Sequence, residues 1–130
     1  MKKLNRDDLL NIVTKSYFGN VDLKRIDPVL ECFTENAILT VRTDNLSHKG
    51  RNQDIQRMFT DFFKSFLVIW HGDFDPIIDE KNQCVVIRFN ALRLRFDGVE
   101  ERAQNVNIFR LTDGKFSEVE IYMSDENPLR

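Results

Sequence analysis

The sequence contains only two histidines, and His71 has the neighbours that acid–base chemistry requires. An imidazole gains and loses a proton near neutral pH, so it can act as a base while a carboxylate holds its other nitrogen. Asp73 and Asp75 follow His71 in a β-prone segment, and strand alternation places Asp73 on the same face. His48 lies in a polar stretch and is predicted to be a surface residue. With no third histidine at ligand spacing, no metal site is predicted.

Two amide side chains are predicted to point into the core of the same fold. Residues 101–111 alternate so that Asn105, Asn107 and Phe109 share one face, which we expect to look into the core. Buried amides must be hydrogen-bonded, so Asn105 and Asn107 either satisfy core partners or contact a ligand. The full set of predicted ligand-binding residues is Asn105, Asn107, Phe59, Phe63, Phe109, Val41 and Trp70. Eleven phenylalanines suit an apolar cavity, although they also suit a dense core.

Composition limits the class of protein. We expect a single domain over residues 1–130, with loose ends at 1–4 and 125–130. The 19 basic and 21 acidic residues give a net charge of −2 and no basic run, so neither nucleic acid nor a membrane is the expected partner. There is no apolar stretch of spanning length and no secretory signal. Cys32 and Cys84 are read as reduced core thiols, which favours a cytoplasmic location, and no cofactor is predicted.

Three long strands and three helices are predicted to position these side chains. Residues 83–123 read as strands joined at Asp97-Gly98 and Asp113-Gly114, which are typical hairpin turns. Helices are predicted after Asn5, after Asp27 and over residues 55–66, with a strand at 37–41 and a loop at 42–50. The predicted fold is α+β, a strongly curved antiparallel sheet with the three helices on its concave side.

The first long strand changes phase partway along. Its apolar positions are odd-numbered from Val85 to Ala91 and even-numbered from Leu92 to Phe96. Because a slip of one residue turns every side chain to the other face, this predicts a β-bulge near residues 90–92. A strand that serves the core at one end and a second surface, such as a dimer interface, at the other would give the same pattern.

The order of these elements and three short motifs resemble a known superfamily. The motifs are Ile-Asp-Pro-Val-Leu-Glu-Cys-Phe-Thr-Glu-Asn-Ala at 26–37, His-Lys-Gly-Arg at 48–51 and Asp-Gly-Lys-Phe at 113–116. Over about residues 5–125 the chain resembles the nuclear-transport-factor-2-like superfamily, also called the cystatin-like cone. Its branches include SnoaL-like cyclases, ketosteroid isomerases and scytalone-dehydratase-like enzymes.

The resemblance implies a catalytic set of His71, Asp22 and Tyr17. These residues match the histidine, aspartate and helix-1 tyrosine of the dehydratase branch, which abstracts a proton beside a carbonyl and expels water. Against ketosteroid isomerases, Tyr17 matches the oxyanion donor and Asn107 replaces a protonated aspartic acid. Val41 stands where those enzymes have their base, so that isomerisation would lack its proton acceptor. Asp22, Asp73 and Asp75 remain alternative partners of His71.

Three functions are compatible with these residues and elements, and a homodimer is compatible with each. The first is a dehydratase, cyclase or isomerase acting on a small hydrophobic carbonyl compound. The second is a non-catalytic module that holds such a molecule in the same cavity. The third is a dimerisation module with a filled cone, in which the outer face of the sheet (Val106, Ile108, Tyr122) makes the contacts.

Overall fold

The computed structural model describes residues 2–130, and its first helix spans seventeen residues without a break. Asn5 caps it by accepting a hydrogen bond from the Asp8 N–H at 2.8 Å. This helix, α1, is α-helical over Arg6–Asn11, π-helical over Ile12–Phe18 and α-helical again over Gly19–Asp22. Wider π turns change which side chains face inward, and the adjacent residues Tyr17 and Phe18 are both buried.

The next elements are a short helix, two strands and a longer helix. Helix α2 covers Ile26–Glu31, strand β1 covers Phe33–Val41 and strand β2 covers Leu46–Lys49. Helix α3 is π-helical over Gly50–Ile55 and α-helical over Gln56–Ser65. The predicted loop at 42–50 was therefore partly wrong, because residues 46–49 pair antiparallel with β1.

Four long strands complete one six-stranded sheet. They are β3 (Val68–Asp79), β4 (Cys84–Leu94), β5 (Glu100–Thr112) and β6 (Lys115–Tyr122), and the spatial order is β2-β1-β6-β5-β4-β3. The α+β class is confirmed, but the sheet is mixed because β1 and β6 run parallel. Buried residues of the helices and of one sheet face form a single core.

The predicted bulge in β4 was wrong. The register of β4 against β5 is continuous from Cys84 to Leu94, and the irregularity lies in β3 between Gly72 and Asp75. Strand β4 instead presents apolar side chains to two surfaces, which was the alternative explanation of its pattern. Ala91 is buried on the core face, while Leu92 is partly exposed on the other face. The inward series continues through Arg93, which is buried.

Residues near both ends of the described chain contact the folded core. The Leu4 N–H donates to Gln83 Oε1 and the Gln83 amide donates to Leu4 O, both at 2.9 Å. At the other end, Asn127 and Leu129 are buried. Within residues 2–130, no helix has the length and apolar character that crossing a bilayer requires.

Candidate active site

His71 and Asp22 form a close pair on the inner face of the sheet. The His71 Nδ1 lies 2.6 Å from Asp22 Oδ1, and the His71 backbone N–H donates to Asp22 Oδ2 at 3.0 Å. Asp22 ends α1 and His71 lies near the start of β3, so the contact joins the helix to the sheet. The side chain of His71 is 11% exposed and that of Asp22 is 22% exposed, which places the pair at the edge of the core.

This geometry selects one form of the imidazole. An ionised carboxylate only accepts hydrogen bonds, so the proton between the two side chains resides on His71 Nδ1. The Nε2 atom of a neutral ring is then an unprotonated base. Asp73 and Asp75 are not alternative partners, because Asp73 accepts from the Asn90 amide at 2.9 Å and Asp75 pairs with Arg88 at 3.1 Å.

Tyr17 lies on α1, the helix that ends at Asp22, and is buried among aromatic rings. Its ring lies 5.4 Å from that of Phe109 and 4.8 Å from that of Phe18, in edge-to-face contacts. Burial, aided by the nearby charges of Cys32 and Asp22, raises the pKa of the Tyr17 phenol well above its usual value. The phenol therefore stays protonated and can donate a hydrogen bond without readily losing its proton.

A small cavity joins these residues. It has a volume of about 30 Å³, enough for a water molecule and too small for an organic ligand. Aromatic, aliphatic and polar groups from both layers line it, together with the last residues of the chain: Tyr17, Phe18, Val21, Phe59, Phe62, His71, Phe89, Arg93, Asn105, Asn107, Ile121, Met123, Pro128 and Leu129.

The two amides face inward as predicted, and one of them is incompletely satisfied. Asn105 accepts a long hydrogen bond from the Ser124 N–H at 3.4 Å. Asn107 is 2% exposed, and its Oδ1 is buried without a hydrogen-bond partner in the part of the chain that is described. A buried acceptor left unpaired costs about 1–3 kcal/mol, so this amide is available to a donor inside the cavity.

Four predicted ligand-binding residues do not line this cavity. Phe109 and Val41 are fully buried and belong to the packed core, and Phe63 packs against Phe59 one turn earlier in α3. Trp70 lies on the opposite face of the sheet and is 42% exposed, because the alternation that turns His71 inward turns its neighbour outward. Of the predicted lining set, Phe59, Asn105 and Asn107 reach the cavity.

Arg93 and His48 were not predicted as parts of this region. Arg93 is the next inward-facing residue after Ala91 in β4. Continuing the odd-numbered alternation of this strand would have predicted its inward position from the sequence. His48, predicted to be on the surface, is 2% exposed. It accepts from Arg57 Nη2 at its Nδ1 and donates from its Nε2 to the Leu129 carbonyl at 2.9 Å. A charged side chain on an apolar strand face and a second buried imidazole thus accompany the His71–Asp22 pair.

The described residues contain no cluster of three histidine, cysteine or carboxylate side chains arranged to hold a metal ion. Cys32 and Cys84 are both free thiols in the core. Burial raises the pKa of the Cys32 thiol to about 12, so it is not a ready nucleophile. At this cavity the imidazole of His71 can therefore accept a proton, and the phenol of Tyr17 can donate a hydrogen bond.

Solved structures with the same fold include proteins from biosynthetic pathways. A candidate polyketide cyclase from Xanthomonas campestris superposes with a TM-score of 0.81 at 14% identity, covering 92% of each chain. SalBIII, an epoxide hydrolase/cyclase-like enzyme in salinomycin pyran-ring formation, gives 0.80 at 19% identity over 92% of this chain and 93% of its own. A candidate SnoaL-like polyketide cyclase from a Jannaschia species gives 0.76 at 14% identity over 95% and 92%.

No protein-family model matches the sequence, and a comparison with curated proteins finds no match either. The structural likeness, at these identities, shows the fold: the chain has the cone fold of the SnoaL-like cyclases, as the sequence motifs suggested. What the cavity does has to be argued from its own residues.

Proposed function

We propose that this protein is an enzyme that abstracts a proton beside the carbonyl group of a small hydrophobic compound, as in a dehydratase, cyclase or isomerase. The observation that carries the proposal is the His71–Asp22 pair, in which both carboxylate oxygens are bonded to one histidine. A histidine held twice by one carboxylate has a fixed ring orientation and tautomer, as a general base requires.

Each polar group has a distinct role in this proposal. His71 Nε2 takes the proton from the carbon next to the carbonyl. Tyr17 donates a hydrogen bond to the carbonyl oxygen, where negative charge develops, and its raised pKa keeps it from becoming the proton source. Asn107, whose buried oxygen has no partner in the described part of the chain, positions a substrate hydroxyl.

The dehydration step balances with these residues alone. The C–H electron pair forms a carbon–carbon double bond while the C–O bond to the neighbouring hydroxyl breaks. The proton held on His71 Nε2 passes to the leaving hydroxyl, which departs as water. An isomerisation would return the same proton to a different carbon, so the pair serves either reaction.

The test is exchange of the α-protons of 2-tetralone in D₂O, followed by ¹H NMR, because exchange reports proton abstraction without the natural substrate. We expect the wild-type protein to accelerate exchange and His71→Asn to lower the rate to the uncatalysed background. Asp73→Asn is the matched control, since this carboxylate is bonded to Asn90 and not to His71. Exchange by His71→Asn at the wild-type rate would contradict the proposal.

A second candidate, self-assembly through the outer face of the sheet, is favoured by a different observation. A groove of about 610 Å³ lies on that face, lined by residues that include Trp70, Leu92, Arg102 and Gln104. An exposed tryptophan beside a leucine and an arginine is typical of an interface centre. We propose a homodimer through this face, compatible with catalysis in the cone and with the cytoplasmic location expected of free thiols.

Light scattering across a range of protein concentrations tests the dimer. Trp70→Ala is expected to weaken association at least about tenfold, as truncation of a central interface residue does. Ile77→Ala is the control, because Ile77 is also apolar and exposed on β3 but does not line the groove. Equal masses for the wild type and both variants at every concentration would reject this interface.

A further inference from the structure

Two of the last six residues line the cavity, and a third is bound to a buried arginine. Pro128 and Leu129 line the cavity although they belong to no helix or strand. His48 Nε2 donates to the Leu129 carbonyl at 2.9 Å, and the Asn127 side chain accepts from the Leu129 N–H at 2.7 Å. We call residues 125–130 the C-terminal strap. A ligand larger than water can enter only if part of this lining moves.

The partly exposed Asp125 joins the strap to the buried Arg93 through an ion pair. The Arg93 side chain is 3% exposed and donates from Nη2 to Asp125 Oδ2 at 2.5 Å and from Nε to Glu101 Oε1 at 3.2 Å. Its guanidinium also lies 5.5 Å from the centre of the Phe66 ring. Asp125 and Glu101 are the two carboxylates that neutralise this buried guanidinium, and Asp125 is the one that the strap supplies.

The fit of Asp125 in this position is incomplete. Only one of its oxygens contacts Arg93, and the other, Oδ1, is buried without a hydrogen-bond partner among residues 2–130. A guanidinium binds a carboxylate best through two parallel hydrogen bonds. A ligand carboxylate that makes both bonds, and leaves no oxygen unpaired, would therefore compete with Asp125.

We infer that Arg93 is a carboxylate-binding group for the substrate and that Asp125 of the C-terminal strap occupies its place while the site is closed. The inference rests on the proposed function and narrows its substrate class to apolar acids carrying a carbonyl group. The acid displaces Asp125, the strap opens, and the apolar part enters between Phe59, Phe89 and His71. A compound without a carboxylate cannot take the place of Asp125, so it enters past Pro128 and Leu129 and leaves the ion pair in place.

The test is binding, measured by isothermal titration calorimetry, of 2-naphthoate and of its uncharged analogue 2-naphthamide. We expect Asp125→Asn to bind 2-naphthoate at least about tenfold more tightly than the wild type, because the competing carboxylate is gone. Its affinity for 2-naphthamide should change by less than about twofold. A gain shared equally by both compounds, or no gain for 2-naphthoate, overturns the inference.

Two further variants distinguish the effect of the Asp125 charge from the effect of loosening the strap. Leu129→Ala loosens the strap without touching the ion pair, so it should raise the affinity for both compounds by the same factor. Asp44→Asn removes an exposed strap contact, the 3.4 Å pair with Arg130, and should leave the preference for acid over amide unchanged. A preference for the acid that rises in either variant as much as in Asp125→Asn would overturn the role of Asp125.

The wild-type protein provides a measurement that depends on no variant. Saturating 2-naphthoate should speed hydrogen exchange of the Leu129 amide, which the closed strap protects through Asn127. Binding without a change at this amide overturns the displacement. Binding tests do not depend on turnover, so a selective gain for the acid together with no α-proton exchange would retain the carboxylate site and reject only the proposed chemistry.

Discussion

Asp22→Asn tests the proposed base most directly, because the two side chains have almost the same shape. Asp22 presents an acceptor to His71 Nδ1–H at 2.6 Å and another to the His71 backbone N–H at 3.0 Å. An asparagine has one oxygen and one NH₂ group, so it can satisfy only one of these donors. The backbone N–H cannot change its proton, whereas the imidazole can.

The expected outcome is a change of tautomer. The asparagine oxygen keeps the backbone N–H, and its NH₂ group faces Nδ1, which must then become an acceptor. The ring proton moves to Nε2, and the base that faces the cavity is lost. General base catalysis contributes about 10²–10⁴-fold, so α-proton exchange should fall at least about 100-fold. The stability loss should be smaller than the value of one hydrogen bond to a charged group, about 1.5–3 kcal/mol, because both contacts persist without the charge and Asp22 is partly exposed.

Two measurements separate this outcome from simple unfolding. Long-range ¹H–¹⁵N correlation spectra identify the protonated ring nitrogen, which we expect at Nδ1 in the wild type and at Nε2 in the variant. Chemical denaturation gives the stability, with Asp75→Asn as control because Asp75 lies in an exposed pair. A variant that keeps the Nδ1–H form, or that exchanges protons at the wild-type rate after the tautomer has moved, refutes the proposed role of Asp22.

Three other perturbations have calculable outcomes. Since the pKa of Tyr17 is raised in the folded protein, the folded state holds its proton more tightly than the unfolded chain, and stability should fall as pH rises above about 10. Tyr17→Phe should reduce this dependence in denaturation curves but not abolish it, because burial also raises the pKa of Cys32. Phe109→Ala empties a fully buried ring site and should cost about 3–5 kcal/mol of unfolding free energy. Gly72→Ala should displace the indole of Trp70, since an added Cβ would lie 2.3 Å from it, and the shift should appear in tryptophan fluorescence; unchanged emission would contradict the packing.

The sequence predicted what depends on periodicity and on local turn chemistry. The helical stripe forms from Ile55 to Phe63 and the helix ends at Ser65, one residue before the predicted Phe66, and the Asp113-Gly114 turn forms where expected. Asp22 and His71 are 49 residues apart, so no local pattern could join them. Their proximity was predicted from the resemblance to a fold in which the end of the first helix meets the strand that holds His71.

The features that were missed depend on long-range packing. His48 looked like a loop residue because the strand that holds it has only four residues, too few to show alternation. The strap looked loose because Pro128 and Leu129 are two apolar residues among polar ones. Arg93 was readable from its inward parity, but the apolar residues beside it, Leu92 and Leu94, indicated a change of register instead.

An assembly function does not explain the polar groups on the inner face of the cone, where apolar residues would pack at lower cost. Arg93 needs two carboxylates to stay buried, and replacing such a set by apolar residues is often neutral or stabilising. Asn107 has an oxygen without a partner among residues 2–130, and a leucine there would remove that cost. The outer groove accounts for neither residue, because both point away from it. A proton-transfer site that admits an acid accounts for His71, Asn107 and Arg93 together, and this is the physical reason to prefer catalysis in the cone over assembly alone.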